Sequence, residues 1–468
     1  MNFLKSLHSP PDGTDELASL IHRLDQCFLS GFARLDTGHK ETLASLTRVF
    51  TGTPLENPLQ KSCDAIQRNE FLEEHFAAIA SVRAALHGTY YDILHKHVTA
   101  TLGRSPVEIP ESEDIGGNGM PSHIGAWMES ARHWLTELAI AGFGRAEIET
   151  VMPFMSSLEQ IQKEPRLVRQ SALLTGLFDE LLRALPVSDV NALPLCRWTD
   201  LWTRSMIGTL RLFPPLPAKR VSGLLRLMGF DVRQHSHFVS VLAYGMLKLD
   251  DFNKFVRITL SSYKVDAIAG DEIWLLFPNA VSLFRAFSEK AGLHIKNMPI
   301  LPTGDLIWNG DAVFGEKYKL ADQAGRWFTP DAGNTIQLCR IHPADRHPVH
   351  LAEPVFLDDY AVKKTDDRIV LDWGENLVLP VAMEQISPVS ELTEDMIVRS
   401  VRMFGLLRFD AGQWALHPLG VVYEKGRGKA RKTYEVFTGG NAAAIIKKIS
   451  GKSTVAMLQE RAGRLLRG

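Results

Sequence analysis

The densest group of side chains that could do chemistry lies in the sequence CRIHPADRHPVH, which runs from Cys339 to His350. Thiolate, imidazole and carboxylate are ligands that Zn²⁺ accepts, and a Cys-x-x-His pair followed by a His-x-x-His pair can close a tetrahedral site. The predicted ligands are Cys339, His342, His347 and His350, with Asp345 nearby. They would serve a metal-dependent hydrolase or nuclease. A histidine-rich surface loop without metal is the alternative interpretation.

Other catalytic signatures are missing from the chain. The sequence contains neither HExxH, which places two zinc-binding histidines on one helical face, nor GxSxG, which exposes a strained serine. It also lacks the Asp/Glu-x-Lys element common in magnesium-dependent nucleases. Gly451-Lys452-Ser453 ends like a P-loop, but Ile446 stands where the first glycine must be. These absences favour a protein without catalytic activity of its own.

A second candidate site is the basic C-terminal stretch. Residues 425–468 carry 11 lysines and arginines against two glutamates, a net charge of +9, so the first 424 residues carry −11. Basic side chains interleaved with Tyr423, Tyr434 and Phe437 can neutralise phosphates through counterion release. The predicted nucleic-acid contacts here are Lys425, Arg427, Lys429, Arg431, Lys432, Lys447, Lys448 and Lys452. Docking of these cations onto the acidic body of the same chain is the alternative.

The elements that must position these residues begin with a helical part. From residue 1 to 217 apolar residues recur at three- and four-residue intervals, as in 124–141, which predicts an all-helical N-terminal domain. A stretch rich in Pro, Gly and acidic residues at 104–123 predicts a mobile loop. Trp198 and Trp202 share one helical face. We interpret them as core, and an exposed docking face is the alternative.

Residues 218–386 follow a different pattern. Short runs rich in Val, Ile, Phe and Tyr are divided by turn sequences, and the links are too short for parallel crossovers. The predicted strands are 238–249, 254–260, 265–269, 273–277, 305–308, 335–341, 368–373 and 376–380, with a helix at 281–291. This part is therefore predicted to be a mostly antiparallel α+β domain.

Residues 387–468 form the third predicted part of an α+β multidomain chain. In ELTEDMIVRSVRMFGLLRFDAGQWALHPLGVVY, Thr393 can cap a helix that runs through Phe404. Asp410-Ala411-Gly412 can close a hairpin as a three-residue loop. A helix that feeds directly into a short hairpin resembles the recognition helix and wing of winged-helix domains. The resemblance covers about thirty residues, and His417 stands where that family usually has Thr.

The winged-helix resemblance implies contacts with DNA. Its recognition helix would lie in the major groove, with Arg399 and Arg402 facing DNA and Arg408 supporting them. Many winged helices bind protein instead. A second segment, RWTDLW at 197–202, resembles uncharacterised bacterial companion proteins encoded beside MoxR-type ATPases and von Willebrand A-domain proteins. That resemblance implies an adaptor subunit with an ATPase as partner.

Composition places the chain in an ordinary class. It has 468 residues, of which 45% are hydrophobic and 23% charged, and no apolar run reaches the roughly 18–20 residues of a membrane helix. Four scattered cysteines fit neither a disulfide framework nor a zinc finger. We therefore expect a cytoplasmic bacterial adaptor that binds nucleic acid or a partner protein, and no membrane.

Overall fold

The computed structural model describes residues 2–104, 121–210, 217–234, 238–250, 252–264, 268, 270–330, 336, 338–341, 345–365, 368–426 and 430–450. Several sequence predictions lie outside these residues. They are the loop from residue 105 to 120, most of the strand predicted at 265–269, and four site residues, which are His342, Arg427, Lys429 and Lys452.

The N-terminal part is helical, as predicted. Its helices are α1 (Asn2–Leu7), α2 (Thr14–Ser30), α3 (Thr37–Val49), α4 (Glu56–Gln67), α5 (Glu73–Thr101), α6 (Ser122–Ala141), α7 (Ile148–Val151), α8 (Met155–Lys163), α9 (Val168–Ala184) and α10 (Leu195–Gly208). The long α5 is apolar on most sides because α1, α2, α4, α6 and α10 all pack against it. Trp198 and Trp202 are buried on α10, which confirms that they belong to the core.

A five-stranded antiparallel sheet follows. Its strands are β1 (Lys219–Gln234), β2 (Phe238–Lys248), β3 (Asn253–Tyr263), β4 (Ala291–Ile300) and β5 (Ala312–Lys317), in the order β3-β2-β1-β4-β5. Two helices accompany it, α11 (Val281–Ser288) and α12 (Leu320–Phe328). The strand predicted at 273–277 is wrong, because Ile273 and Trp274 are buried in a 3-10 helix at Gly270–Leu276. A short apolar run does not distinguish a buried strand from a buried helical turn.

Seven further strands complete the described sheets. They are β6 (Glu353–Leu357), β7 (Ala361–Lys364), β8 (Ile369–Asp372), β9 (Val378–Pro380), β10 (Ser400–Asp410), β11 (Gln413–Lys425) and β12 (Lys432–Phe437). A four-stranded sheet has the order β12-β11-β10-β6, and a three-stranded sheet has the order β7-β8-β9. All strand pairs in the three sheets are antiparallel, as predicted. Two helices lie in this part, α13 (Glu394–Val398) and α14 (Ala442–Ser450).

The four-stranded sheet lies between two hydrophobic cores. Neighbouring residues of a strand face opposite sides of its sheet. On β10, Met403 and Leu407 belong to the core that contains the helices, whereas Phe404 and Leu406 belong to the core of the five-stranded sheet. Because β10 also pairs with β6, this sheet joins residues from both sides of the boundary drawn at residue 386.

The winged-helix arrangement is not confirmed. The helix after Thr393 ends at Val398, and β10 begins at Ser400, so Arg402 lies on a strand. The hairpin is present, but its loop is Ala411-Gly412 instead of the predicted three residues, because Asp410 pairs with Gln413. Ala411 has a φ of 48° and Gly412 a φ of 77°, and a type I′ turn requires positive φ at both central positions. None of the described helices combines the length and apolar composition that crossing a bilayer requires.

Candidate functional site

Of the described members of the predicted zinc cluster, His347 and His350 are neighbours with ring centroids 6.3 Å apart, and Asp345 pairs with Arg204, which also contacts His350. The Cys339 thiol donates to the carbonyl oxygen of Phe255 at 3.3 Å, and burial raises its pKa to about 12. The ring of His347 stacks on His87, while His350 lies 3.0 Å from a guanidinium nitrogen of Arg204. Within the described ranges, no three His, Cys, Asp or Glu side chains are arranged to hold a metal ion.

The three arginines that the winged-helix resemblance assigns to DNA lie in different environments. Arg399 is half exposed and pairs with Asp395 at 2.9 Å. Arg402 is half-buried on β10. Arg408 is 6% exposed and donates to Asp231 and His417 in the interior, so it does not reach a surface where DNA could lie. The resemblance implied a recognition helix that carries Arg399 and Arg402, whereas the helix ends at Val398 and β10 begins at Ser400.

The basic residues of β11 and β12 do come together. Lys425 lies directly opposite Lys432, and two pairs further along Tyr423 lies opposite Tyr434. Residues paired across an antiparallel ladder share a face, as do residues two apart. The two tyrosine rings stack with centroids 5.6 Å apart, and Tyr434 is 43% exposed. We call these four residues the basic hairpin end.

The surrounding cations differ in their pairing. Arg431 forms an ion pair with Glu424 of the neighbouring strand. Lys425 and Lys432 are exposed, and neither has a carboxylate partner among the described residues. Lys447 and Lys448 are exposed on α14, which packs against α11 rather than against the hairpin. The basic hairpin end is therefore the place where the described part of the basic stretch concentrates unpaired charge beside aromatic rings.

A buried charged cluster that sequence reasoning missed lies beneath a cleft of about 620 Å³. Asp231 of β1 accepts hydrogen bonds from Arg408 at 3.0 Å and from Arg233 at 2.9 Å. Arg408 Nε donates to Nδ1 of His417 at 3.1 Å. Asp231 and His417 are each 3% exposed. The sequence does place Asp231 inside the apolar run LLRLMGFDV. A charged aspartate is rarely buried in a core unless it is paired, so this position could have indicated the cluster.

The protonation states of this cluster follow from burial and pairing. Burial lowers the pKa of His417 to about 4, so its ring is neutral near pH 7. Burial alone would raise the pKa of Asp231, but the guanidinium groups of Arg233 and Arg408 hold that pKa below its usual value. The cluster is a closed ion pair with a neutral imidazole. Its contacts hold β1 of one sheet to β10 and β11 of the other.

The buried imidazole predicts a pH dependence of stability. The unfolded chain protonates His417 near pH 6.5, whereas the folded chain resists protonation until about pH 4. The contribution of the neutral His417 ring to the free energy of unfolding is therefore complete above pH 6.5 and is lost as the pH falls towards 4. In H417N the amide oxygen can still accept a hydrogen bond from Arg408. Between about pH 7 and pH 5 the free energy of unfolding should therefore fall by about 2 kcal/mol less in H417N than in the unaltered chain.

Thermal unfolding at a series of pH values measures this effect, with replacement of the exposed His22 by Asn as the matched control. H22N should follow the pH dependence of the unaltered chain, and an H417N profile parallel to that of H22N would contradict the argument.

The sequence alone shows neither the pairing of Asp231 with Arg408 nor the alignment of Lys425 with Lys432. Comparisons of the chain with protein-family models, with curated proteins and with solved structures find no match.

Proposed function

We propose that the protein is a non-catalytic adaptor of a multiprotein system and that its basic hairpin end binds single-stranded nucleic acid. The observation that carries the proposal is the pairing of Lys425 with Lys432 across the ladder. Like charges directly opposite each other destabilise a sheet. A bound phosphate removes the repulsion and provides a reason for this arrangement.

The tyrosines support a single strand as the ligand. Tyr434 is exposed beside the lysines and offers a ring on which an unpaired base can stack. Basic grooves with stacking aromatics are how many proteins hold single-stranded nucleic acid without reading its sequence. Readers of the duplex major groove usually insert a helix, but α13 has only five residues and Arg399 beyond it is paired with Asp395.

The states of the buried ionisable groups support the non-catalytic part of the proposal. The Cys339 thiol, with its pKa raised to about 12 by burial, is not a nucleophilic thiolate at neutral pH. His417, with a pKa of about 4, is a weak base there. Asp231 is ionised and engaged by two guanidinium groups. Such groups stabilise the interior and are poorly suited to acid–base or nucleophilic chemistry.

The salt dependence of binding tests the proposal. Fluorescence anisotropy of a labelled single-stranded oligonucleotide with the full chain should show affinity that falls as salt rises. Each phosphate contact on a single strand contributes a slope of roughly 0.7 in a plot of log K against log salt, so the double variant K425Q/K432Q should reduce the slope by about 1.4. The matched control is K40Q/K163Q, which removes two exposed lysines of the helical part.

A second variant separates stacking from charge. Y434L removes the exposed ring without changing charge, so it should weaken binding by about 1–3 kcal/mol and leave the salt slope unchanged. Absence of binding to single-stranded oligonucleotides at low salt would contradict the nucleic-acid part of the proposal. Duplex DNA bound more tightly than the single strand would contradict the stacking argument. A pull-down with the full chain then tests the remaining adaptor role, with an ATPase as the expected partner.

A further inference from the structure

A small cavity of about 70 Å³ lies between the helices and the turn that precedes the 3-10 helix at Pro348–His350. Arginines from four segments line it: Arg83 of α5, Arg169 of α9, Arg204 of α10 and Arg346 of the turn. Their side chains range from 0% exposed for Arg83 to 36% for Arg169. The cavity therefore has a buried floor at Arg83 and a mouth at Arg169.

Two buried histidines on its wall have nitrogen atoms without hydrogen-bond partners in the described structure. His87 of α5 is 5% exposed, and both of its ring nitrogens are unpartnered. His347 is 9% exposed, and its Nδ1 accepts from the backbone N–H of Val349 at 3.1 Å. The Nε2 of His347 is unpartnered and lies 3.8 Å from Asp200, beyond hydrogen-bond reach. Buried polar atoms are normally satisfied, so these nitrogens indicate an occupant.

The geometry of the two rings argues against a metal ion as that occupant. The rings of His87 and His347 stack with centroids 4.1 Å apart and planes 18° from parallel. A zinc ion must lie close to the plane of each coordinating imidazole, at roughly 2.0–2.1 Å from its nitrogen. Two nearly parallel rings cannot both meet that requirement for one ion. The surrounding guanidinium groups also repel a cation.

The charge on the wall favours an anion. Each arginine already has a carboxylate: Asp25 for Arg83, Asp345 for Arg169, Asp92 for Arg346, and both Asp200 and Asp345 for Arg204. Of these carboxylates only Asp200 belongs to a residue that lines the cavity, alongside the four arginines. An arginine has five N–H donors. Those of Arg83 go to Asp25, Thr199, Thr203 and the carbonyl oxygen of Cys196, so an oxyanion would accept from N–H groups that Arg204 and Arg346 do not give to carboxylates.

We propose that this cavity binds a tetrahedral oxyanion of the phosphate type. A volume of about 70 Å³ exceeds the roughly 10–15 Å³ that is enough to hold one water molecule, so the cavity has space for a compact group such as phosphate. The ligand is then inorganic phosphate or the terminal phosphate of a larger molecule. The N–H groups of His87 and His347 complete the donor set. This site is separate from the basic hairpin end.

Calorimetric titration of the full chain tests the proposal with inorganic phosphate, sulfate and adenosine 5′-monophosphate, each at constant ionic strength made up with chloride. Saturable binding of inorganic phosphate is expected. Tighter binding of the monophosphate would identify the terminal phosphate of a larger molecule as the natural source. Absence of saturable binding of all three at millimolar concentrations would overturn the proposal.

Two variants connect binding to the cavity. H87F keeps an aromatic ring against His347 but removes both unpartnered nitrogens, so the phosphate-free protein should unfold at the same or a higher temperature. Phosphate affinity should fall by about tenfold or more, because a hydrogen bond to a charged group is lost. A folded H87F variant with unchanged affinity would overturn the assignment.

The second variant, R169Q, removes one charge at the mouth and should also weaken phosphate binding by about tenfold or more. Its matched control is R166Q, three residues away, where the arginine is exposed and pairs with Glu164 outside the cavity. R166Q should bind phosphate as the unaltered chain does. Equal losses in R169Q and R166Q would show a general effect of surface charge and would overturn the proposal.

Discussion

Replacement of Asp25 by Ala is expected to lower the free energy of unfolding by about 3–5 kcal/mol, because it leaves a buried charge without its partner. The Arg83 side chain is 0% exposed, and its Nε and Nη2 donate to the two carboxylate oxygens of Asp25 at 2.7 and 3.0 Å. A guanidinium stays protonated at any ordinary pH. In D25A it would keep its hydrogen bonds to Thr199, Thr203 and the carbonyl oxygen of Cys196, while the carboxylate of Asp200 lies 3.7 Å away.

Denaturant unfolding of the full chain measures the loss. The control is E74A, which breaks a surface ion pair whose members, Lys61 and Glu74, are 69% and 58% exposed. Surface pairs contribute little, so E74A should unfold at the denaturant concentration of the unaltered chain. The double variant D25L/R83M removes both buried charges and should recover most of the loss. A D25A protein as stable as E74A would show that Arg83 has solvent access that the structure does not contain.

The sequence predicts the helical part well because its physical signal is local. Apolar residues at three- and four-residue intervals specify one buried face, and prolines mark the ends of the helices. The strands were harder to find. β1 and β4 were not predicted, although β2 and β3 between them were. Residues 225 and 227–231 of β1 are all buried, so this strand lacks the polar–apolar alternation that identifies a strand with one solvent-exposed face.

The candidate sites depend on pairings that sequence proximity does not reveal. Cys339 and His350 are eleven residues apart, yet one contacts Phe255 of β3 and the other Arg204 of α10. In contrast, Asp231 and Arg408 are 177 residues apart and form a hydrogen bond. The excess of basic residues after residue 424 was visible in the composition, but the alignment of Lys425 with Lys432 requires the strand register.

Replacement of Trp202 is expected to lower the free energy of unfolding by as much as replacement of Asp25. Replacement by Ala should cost about 3–5 kcal/mol, because a fully buried aromatic ring is removed and the surrounding helices can fill the space only partly. Its indole N–H donates to the carbonyl oxygen of Leu135 on α6 at 2.7 Å, and its ring packs against Phe28 of α2 with centroids 4.5 Å apart. One side chain of α10 thereby contacts two other helices.

W127A is the matched control, since Trp127 is also a tryptophan of the helical part but is only half-buried on α6. It should lose clearly less stability in the same denaturant titration. W202F keeps a ring but loses the indole N–H, so its stability should lie between those of W202A and the unaltered chain. α10 also carries Asp200 and Arg204 of the phosphate cavity, so W202A should weaken phosphate binding even where the chain remains folded. Equal stability of W202A and W127A would contradict a core role for Trp202.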